Sequence, residues 1–185
     1  MKAFKAYDIR GEWGTDWDAE LAYKIGFHLP AVLDARHFLI GRDCRLSSDE
    51  VFDALSQGLT DAGADVSDAG FTTTPLVYWA TAKYKFPASV MITASHNPKS
   101  HNGLKVSAKN AVPVGYDNGL QLVEQKVQHE KIIPKSEKGI IQQIELNTAY
   151  LAFLKNYLSN FGNLRIAVDC SNGMASLYIK ELLGN

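Results

Sequence analysis

A chain of 185 residues, 46% hydrophobic and 21% charged, can bury a core of its own without disulfides or metals. Its 19 basic and 20 acidic residues leave a net charge of −1, which excludes the broad basic field that nucleic acid demands. No apolar run nears the ~20 residues that a helix needs to span a bilayer. Cys44 and Cys170 show no ligand spacing and read as reduced thiols, and the N-terminal lysines precede no apolar signal-peptide stretch, so a cytoplasmic setting is expected.

Helical and strand patterns alternate along the chain. Asp18 is placed to cap a helix whose apolar positions Leu21, Ile25, Leu29 and Val32 recur about one turn apart, and Pro30 should kink or shorten it. HFLIG (37–41) makes a short apolar strand. Ser47 and Glu50 have capping-box spacing ahead of Val51, Leu55, Leu59 and Ala62, and Gly63 stops that helix. ADVSDAG (64–70) alternates as a strand does. Thr74 followed by Pro75 reads as the cap and first residue of a third helix, running to about Tyr84. ASVMIT (88–93) and GLKVSA (103–108) are strands flanking a polar loop, and a further helix is predicted over 117–128. Strands alternating with helices argue a layered α/β domain over residues 1–140. The charged stretch 129–147 reads as a domain edge or linker. Asn147 or Thr148 then opens a helix with Tyr150, Leu151, Leu154, Tyr157 and Leu158 on one side. LRIAVDC (164–170) reads as a buried strand, SNG as a turn and MASLYIKELLG as a helix start, the opening of a second α/β unit.

The stretch TASHNPKSHNGLK (93–105) is where chemistry concentrates. Ser95 follows a buried strand, the place where α/β folds present reacting groups. A serine hydroxyl needs a base or cationic help to act as nucleophile or phosphate carrier. If 93–104 is a hairpin-like excursion, Asn102-Gly103 supplies its turn and Lys105 returns beside Ser95. Phosphate suits this layout better than acyl chemistry. There is no G-x-S-x-G elbow, and no Asp or Glu between residues 88 and 116 to orient a histidine. Spacing alone leaves open a plainer reading, a polar loop whose Ser, Thr and Asn side chains satisfy its own backbone.

The same residues resemble a known family. TASHNPKSHNGLKV is similar to the phosphoserine-loop signature of the α-D-phosphohexomutases, T-A-S-H-N-P followed by N-G-x-K. YDIRG (7–11) resembles that family's N-terminal motif in its phosphomannomutase/phosphoglucomutase form. GRDCR (41–45) resembles its G-R-D-x-R, with Cys44 where threonine or serine is common, and DCSNGMAS (169–176) resembles the opening of its second domain. The implied fold is a layered α/β/α mixed-sheet domain followed by the opening strand-loop-helix of a second similar domain. Residues 1–140 would be domain I with the phosphoserine loop, and residues 141–185 a linker and the truncated start of domain II.

By this resemblance the activity is a phosphohexomutase that interconverts hexose 1-phosphate and hexose 6-phosphate of mannose or glucose. Ser95 carries the phosphoryl group, hands it to the sugar to give a bisphosphate, and receives the other phosphate back. Mg²⁺ is implied as cofactor, bound through the Ser95 phosphate. Lys105 is implied to shuttle the proton of the reacting hydroxyl and to hold the phosphoserine's charge. Arg10 would steady phosphate or assist proton transfer, and Tyr7 would pack at the substrate entrance. His96 would hydrogen-bond the phosphoryl group or orient the loop. Arg42 and Arg45 are expected to be structural ion-pair residues, and Lys105→Ala should cost far more turnover than Arg45→Ala because only Lys105 shares the serine loop. The family's aspartate metal loop D-G-D-G-D-R and its sugar and phosphate loops lie outside this sequence. The chain alone is therefore expected to be inactive and to self-associate through its truncated second domain. Two other readings stand beside the mutase: a non-catalytic fragment that keeps only the domain I fold, and a hydrolase using Ser95 with a histidine.

Overall fold

The computed structural model describes residues 1–159 and 162–184. The elements run β1 (Ile9–Glu12), α1 (Ala19–Leu33), β2 (His37–Arg42), α2 (Ser48–Asp61), β3 (Asp65–Phe71), α3 (Thr74–Lys83), β4 (Ala88–Ile92), β5 (His101–Ala108), β6 (Val112–Pro113), α4 (Leu120–His129), β7 (Ile141–Gln143), α5 (Asn147–Lys155) and α6 (Ser176–Leu183). One mixed sheet has the order β1-β5-β4-β2-β3-β7, with β6 on β5. The strands β4, β2, β3 and β7 are mutually parallel, and β5 runs antiparallel to both of its neighbours β1 and β4.

Helices cover both faces, because alternate residues of the inner strands are apolar on both sides. Phe38, Ile40, Val90, Ile92 and Leu104 pack against α1, α2 and α4, and Leu39 and Met91 pack on the other face with α3, α5 and α6. The result is the layered α/β/α mixed-sheet arrangement expected from the sequence. None of the helices among the described residues is long and apolar enough to cross a membrane.

Several local expectations change. Asp18 does cap α1, its Oδ1 accepting from the Leu21 N–H at 2.9 Å. Pro30 does not shorten the helix, which runs on to Leu33. Gly26 and Gly58 let α1 and α2 meet backbone to backbone, and a Cβ at Gly26 would lie 2.2 Å from the Leu55 carbonyl oxygen, so α1 is held from outside. The Ser47–Glu50 capping box does not form. Ser47 accepts instead from Asn102 Nδ2 at 2.9 Å, and Glu50 accepts from the Trp13 indole N–H. The cap of α3 is Thr73 rather than Thr74, with its hydroxyl accepting from Leu76 N–H. The helix predicted over 117–128 begins only at Leu120, behind a short 3-10 turn.

Two differences are tertiary in origin. Within the stretch read as linker, β7 adds to the sheet edge, Val66 pairing with Ile141. Residues 164–170, read as a buried strand, join no ladder among the described residues, and all but Cys170 are exposed. A strand is completed only by a neighbour, and among the described residues none pairs with this segment. The opening strand of a second unit is thus not formed here. Its helix is, with the Tyr178 hydroxyl of α6 bonded to Thr72 and Asn147.

Candidate functional site

Parallel strands put all their C-terminal ends on one side of the sheet, and the loops that follow them converge there. The loops after β2, β3 and β4 line a cleft of about 970 Å³, and residues 170–175 close its far side. Ser95 and His96 line this cleft and are exposed.

Ser95 has φ +53°, a left-handed conformation that costs a non-glycine residue ~1–2 kcal/mol. Its N–H donates to Thr93 Oγ1 at 2.9 Å. Its carbonyl is held by Arg45. Arg45 Nη2 donates to the carbonyls of Ser95 (2.7 Å) and Asn97 (2.8 Å), and Nη1 to those of Pro98 (2.7 Å) and His101 (3.0 Å). The planar guanidinium fork suits this multiple capture, and no other side chain supplies as many fixed donors. Asp43 supports the fork from behind, at 3.3 Å from Arg45 Nε. Asp43 also accepts from the Ser48 hydroxyl at 2.7 Å, and Ser48 accepts from Asn102 Nδ2 at 3.1 Å.

This geometry corrects two expectations. Asn102-Gly103 is not a turn: both residues belong to β5, paired with Gly11 and Arg10 of β1. Gly103 is required there because a Cβ would lie 2.5 Å from the Ile9 carbonyl oxygen and 2.9 Å from that of Thr93. Lys105, expected beside Ser95, is not among the residues that line the cleft, and Arg45 binds the serine loop directly.

Lys105 pairs across the sheet with Met91, so both side chains leave the same face, and Met91 lines the cleft. Asp8 gathers the cations of that face, with Lys105 Nζ at 3.5 Å and Arg10 Nε at 3.8 Å. Burial, and after it the Asp8 charge, pushes the Tyr78 phenol above its ordinary range. Tyr7 is 87% exposed and stands outside the residues that line the cleft. Arg42 is ion-paired to Asp49 and Asp68 and lies over the Phe52 ring, away from Ser95.

Sequence reasoning missed Asp8, Asp43 and Asn102, and it undervalued Arg45. One signal was available: Asp8 sits immediately before β1 and two residues from Arg10, within reach of the same cations. Among the described residues no three His, Cys, Asp or Glu side chains cluster to hold a metal. Asp8 is engaged by Arg10 and Lys105, and Asp43 by Arg45 and the Ser48 hydroxyl. The residues present therefore do not fit a resident Mg²⁺ by themselves.

Residues 1–145 match the sequence profile of phosphoglucomutase/phosphomannomutase, alpha/beta/alpha domain I. The chain belongs to this family. A phosphomannomutase of Escherichia coli is 36% identical over 187 aligned positions, covering 98% of this chain and 41% of the relative. A shorter phosphomannomutase of Klebsiella pneumoniae is 36% identical over 153 positions, 82% of this chain and 98% of its own length. The crystal structure of a phosphoglucomutase/phosphomannomutase family protein from Burkholderia thailandensis superposes with a TM-score of 0.87 at 28% identity, over 98% of this chain and 41% of that one. The chain thus spans about 41% of the length of the first of these relatives. As a phosphoglucomutase/phosphomannomutase family member it carries the serine loop in domain I, with GRDCR supplying the clamp beneath it.

Proposed function

We propose that this chain is the phosphoserine-bearing part of a phosphohexomutase of phosphomannomutase/phosphoglucomutase type, which interconverts hexose 1-phosphate and hexose 6-phosphate. The observation that carries the proposal is the Ser95 loop: an exposed hydroxyl on a left-handed turn, clamped by Arg45 at the mouth of the cleft. Phosphoryl transfer asks mainly for positioning and charge neutralisation, and a rigid serine beside cations offers both.

In this reading the Ser95 Oγ–P bond breaks as the sugar oxygen–P bond forms, and the bisphosphate returns its other phosphate to Ser95. Lys105 takes up the proton of the attacking hydroxyl and offsets the phosphoserine's charge, and Arg10 steadies phosphate beside it. Their shared ion pairs with Asp8 support the charge-offsetting roles, because one carboxylate holds both cations on the face of the sheet that carries Met91. His96 hydrogen-bonds the phosphoryl group from within the cleft, and Tyr7 packs against sugar at the entrance. Mg²⁺, where present, would be held through the Ser95 phosphate and would supply charge neutralisation there.

Residues 1–140 are read as the phosphoserine domain, and 141–185 as the linker and start of a second. The 185-residue chain by itself is read as inactive. A hydrolase using Ser95 with a histidine is disfavoured, because Asp8 is engaged by Lys105 and Arg10 rather than orienting an imidazole.

The test is incubation with a hexose 1,6-bisphosphate and Mg²⁺, followed by intact mass and peptide mapping. Phosphate is expected on Ser95 in the native chain and on no residue in Ser95→Ala. Phosphate found only on other serines would sink the assignment. A sugar 1-phosphate assay then separates a mutase, which yields the 6-phosphate, from a fragment that does not turn over.

A further inference from the structure

The two cysteines lie far apart in sequence, yet both line the cleft beside Ser95. Cys44 is exposed, between Asp43 and Arg45, and Cys170 is partly exposed. The Cys44 thiol donates to the Asn172 carbonyl at 3.5 Å, so its sulfur already touches the bend that Cys170 opens. That bend is tight: the Gly173 N–H donates to the Cys170 carbonyl at 2.8 Å.

The two sides differ in stiffness. Cys44 is held between the residues of the Arg45 clamp. Among the described residues, 164–170 join no ladder and are largely exposed, so fewer contacts fix Cys170 than fix Cys44. A disulfide needs Cα atoms ~4.4–6.8 Å apart, and the Cys44 sulfur already lies 3.5 Å from a carbonyl two residues beyond Cys170.

We propose that Cys44 and Cys170 are a cross-linking thiol pair that a small-molecule disulfide such as oxidised glutathione converts to an intramolecular disulfide. The Cys44 thiolate, having lost its proton to solvent, attacks one sulfur of the small disulfide. A mixed disulfide forms, the small S–S bond breaks, and one small thiolate leaves. The Cys170 thiolate then attacks the Cys44 sulfur and expels the second small thiolate. Two protein thiols are oxidised, and one small disulfide is reduced to two thiols. Cys44 reacts first because it is the more exposed of the two. The product straps residues 170–175 to the cleft wall that also carries Ser95. The cross-link does not depend on Ser95 being phosphorylated, so either reading can fail without the other.

The experiment treats the native 185-residue chain with oxidised glutathione, quenches it with an alkylating reagent, and reads intact mass and peptides. Both free thiols should be lost, the mass should fall by two hydrogens, and the Cys44 peptide should be joined to the Cys170 peptide. Cys44→Ser and Cys170→Ser should each accumulate one glutathione on the remaining cysteine, with no internal cross-link. Repeated in denaturant, cross-linking should slow about tenfold or more, because the fold rather than chance closure brings the thiols together. Three results overturn the proposal: glutathione adducts on the native chain without a cross-link, disulfides formed only between two chains, or an equal rate in denaturant.

Discussion

Ser95 holds a backbone conformation that its own side chain does not favour, and Arg45 holds it there. Removing the guanidinium frees the carbonyls of Ser95, Asn97, Pro98 and His101 together. The loop is exposed, so water satisfies those oxygens and the cost in stability stays small. The cost in positioning does not. Arg45→Ala is therefore expected to slow Ser95 phosphorylation by a hexose bisphosphate about as much as Lys105→Ala, whose loss of proton transfer is worth ~10²–10⁴ in rate. Arg45→Lys should recover little, since an ammonium cannot span the same acceptors as a fork. The readout is the phosphorylation rate by mass spectrometry, with circular dichroism as a check on folding. An Arg45→Ala chain that phosphorylates at the full rate would show that the clamp is ornamental.

At the scale of elements, the α1–α4 contact contains a histidine with nowhere to put a proton. His28 is 3% exposed, and its Nε2 has no hydrogen-bond partner among the described residues. Its Nδ1 lies 3.9 Å from Glu130 Oε2, beyond the end of α4. Burial lowers its pKa below the usual value, and the Lys126 charge adds to this against the opposing pull of Glu130. Above about pH 6.5, the unfolded value, His28 is neutral folded or unfolded, and its contribution to stability is fully present. Below it, the unfolded chain takes a proton that the folded chain refuses, so stability is lost as pH falls toward the folded pKa. Urea midpoints between pH 7 and pH 5 should therefore drop more steeply in the native chain than in His28→Leu or His28→Gln. Parallel profiles would mean that His28 is protonated in place.

The whole molecule keeps two apolar cores, one on each face of the sheet, and the second is finished by residues near the C-terminus. Tyr150 is buried there between Trp79 and Tyr178, while Leu164, Ile166 and Val168 stay 73%, 52% and 46% exposed on a segment that joins no ladder among the described residues. Alternating exposed apolar side chains with unpaired backbone invite another strand. The 185-residue chain is expected to self-associate in light scattering and to give no turnover in a coupled mutase assay. Ile166→Lys with Val168→Lys should return it toward monomer, because charge on an edge blocks pairing. A monomeric parent chain, or turnover above background, would contradict this reading.

Much of the fold was legible in the sequence because its signals are local. Asp18 reaches its own helix three residues on, and the apolar spacing of Val51, Leu55 and Leu59 needs no partner to be recognised. The alternation of strands and helices implied a layered sheet for the same reason. The serine loop was also visible as a cluster of residue types, but its shape was not. Ser47 offered a plausible local cap and took Asn102 instead, and Asn102-Gly103 looked like a turn until β1 arrived to pair with it. Arg45 clamps carbonyls 50 to 56 positions away. Asp8 meets Lys105 only because β1 and β5 lie side by side. Residues 164–170 have the composition of a strand, yet a strand exists only with a neighbour. What the sequence by itself determined were the elements whose stabilising contacts fall within a few residues. The tertiary structure alone decided which cations, carboxylates and thiols meet at the cleft, because those contacts exist only once strand order is set.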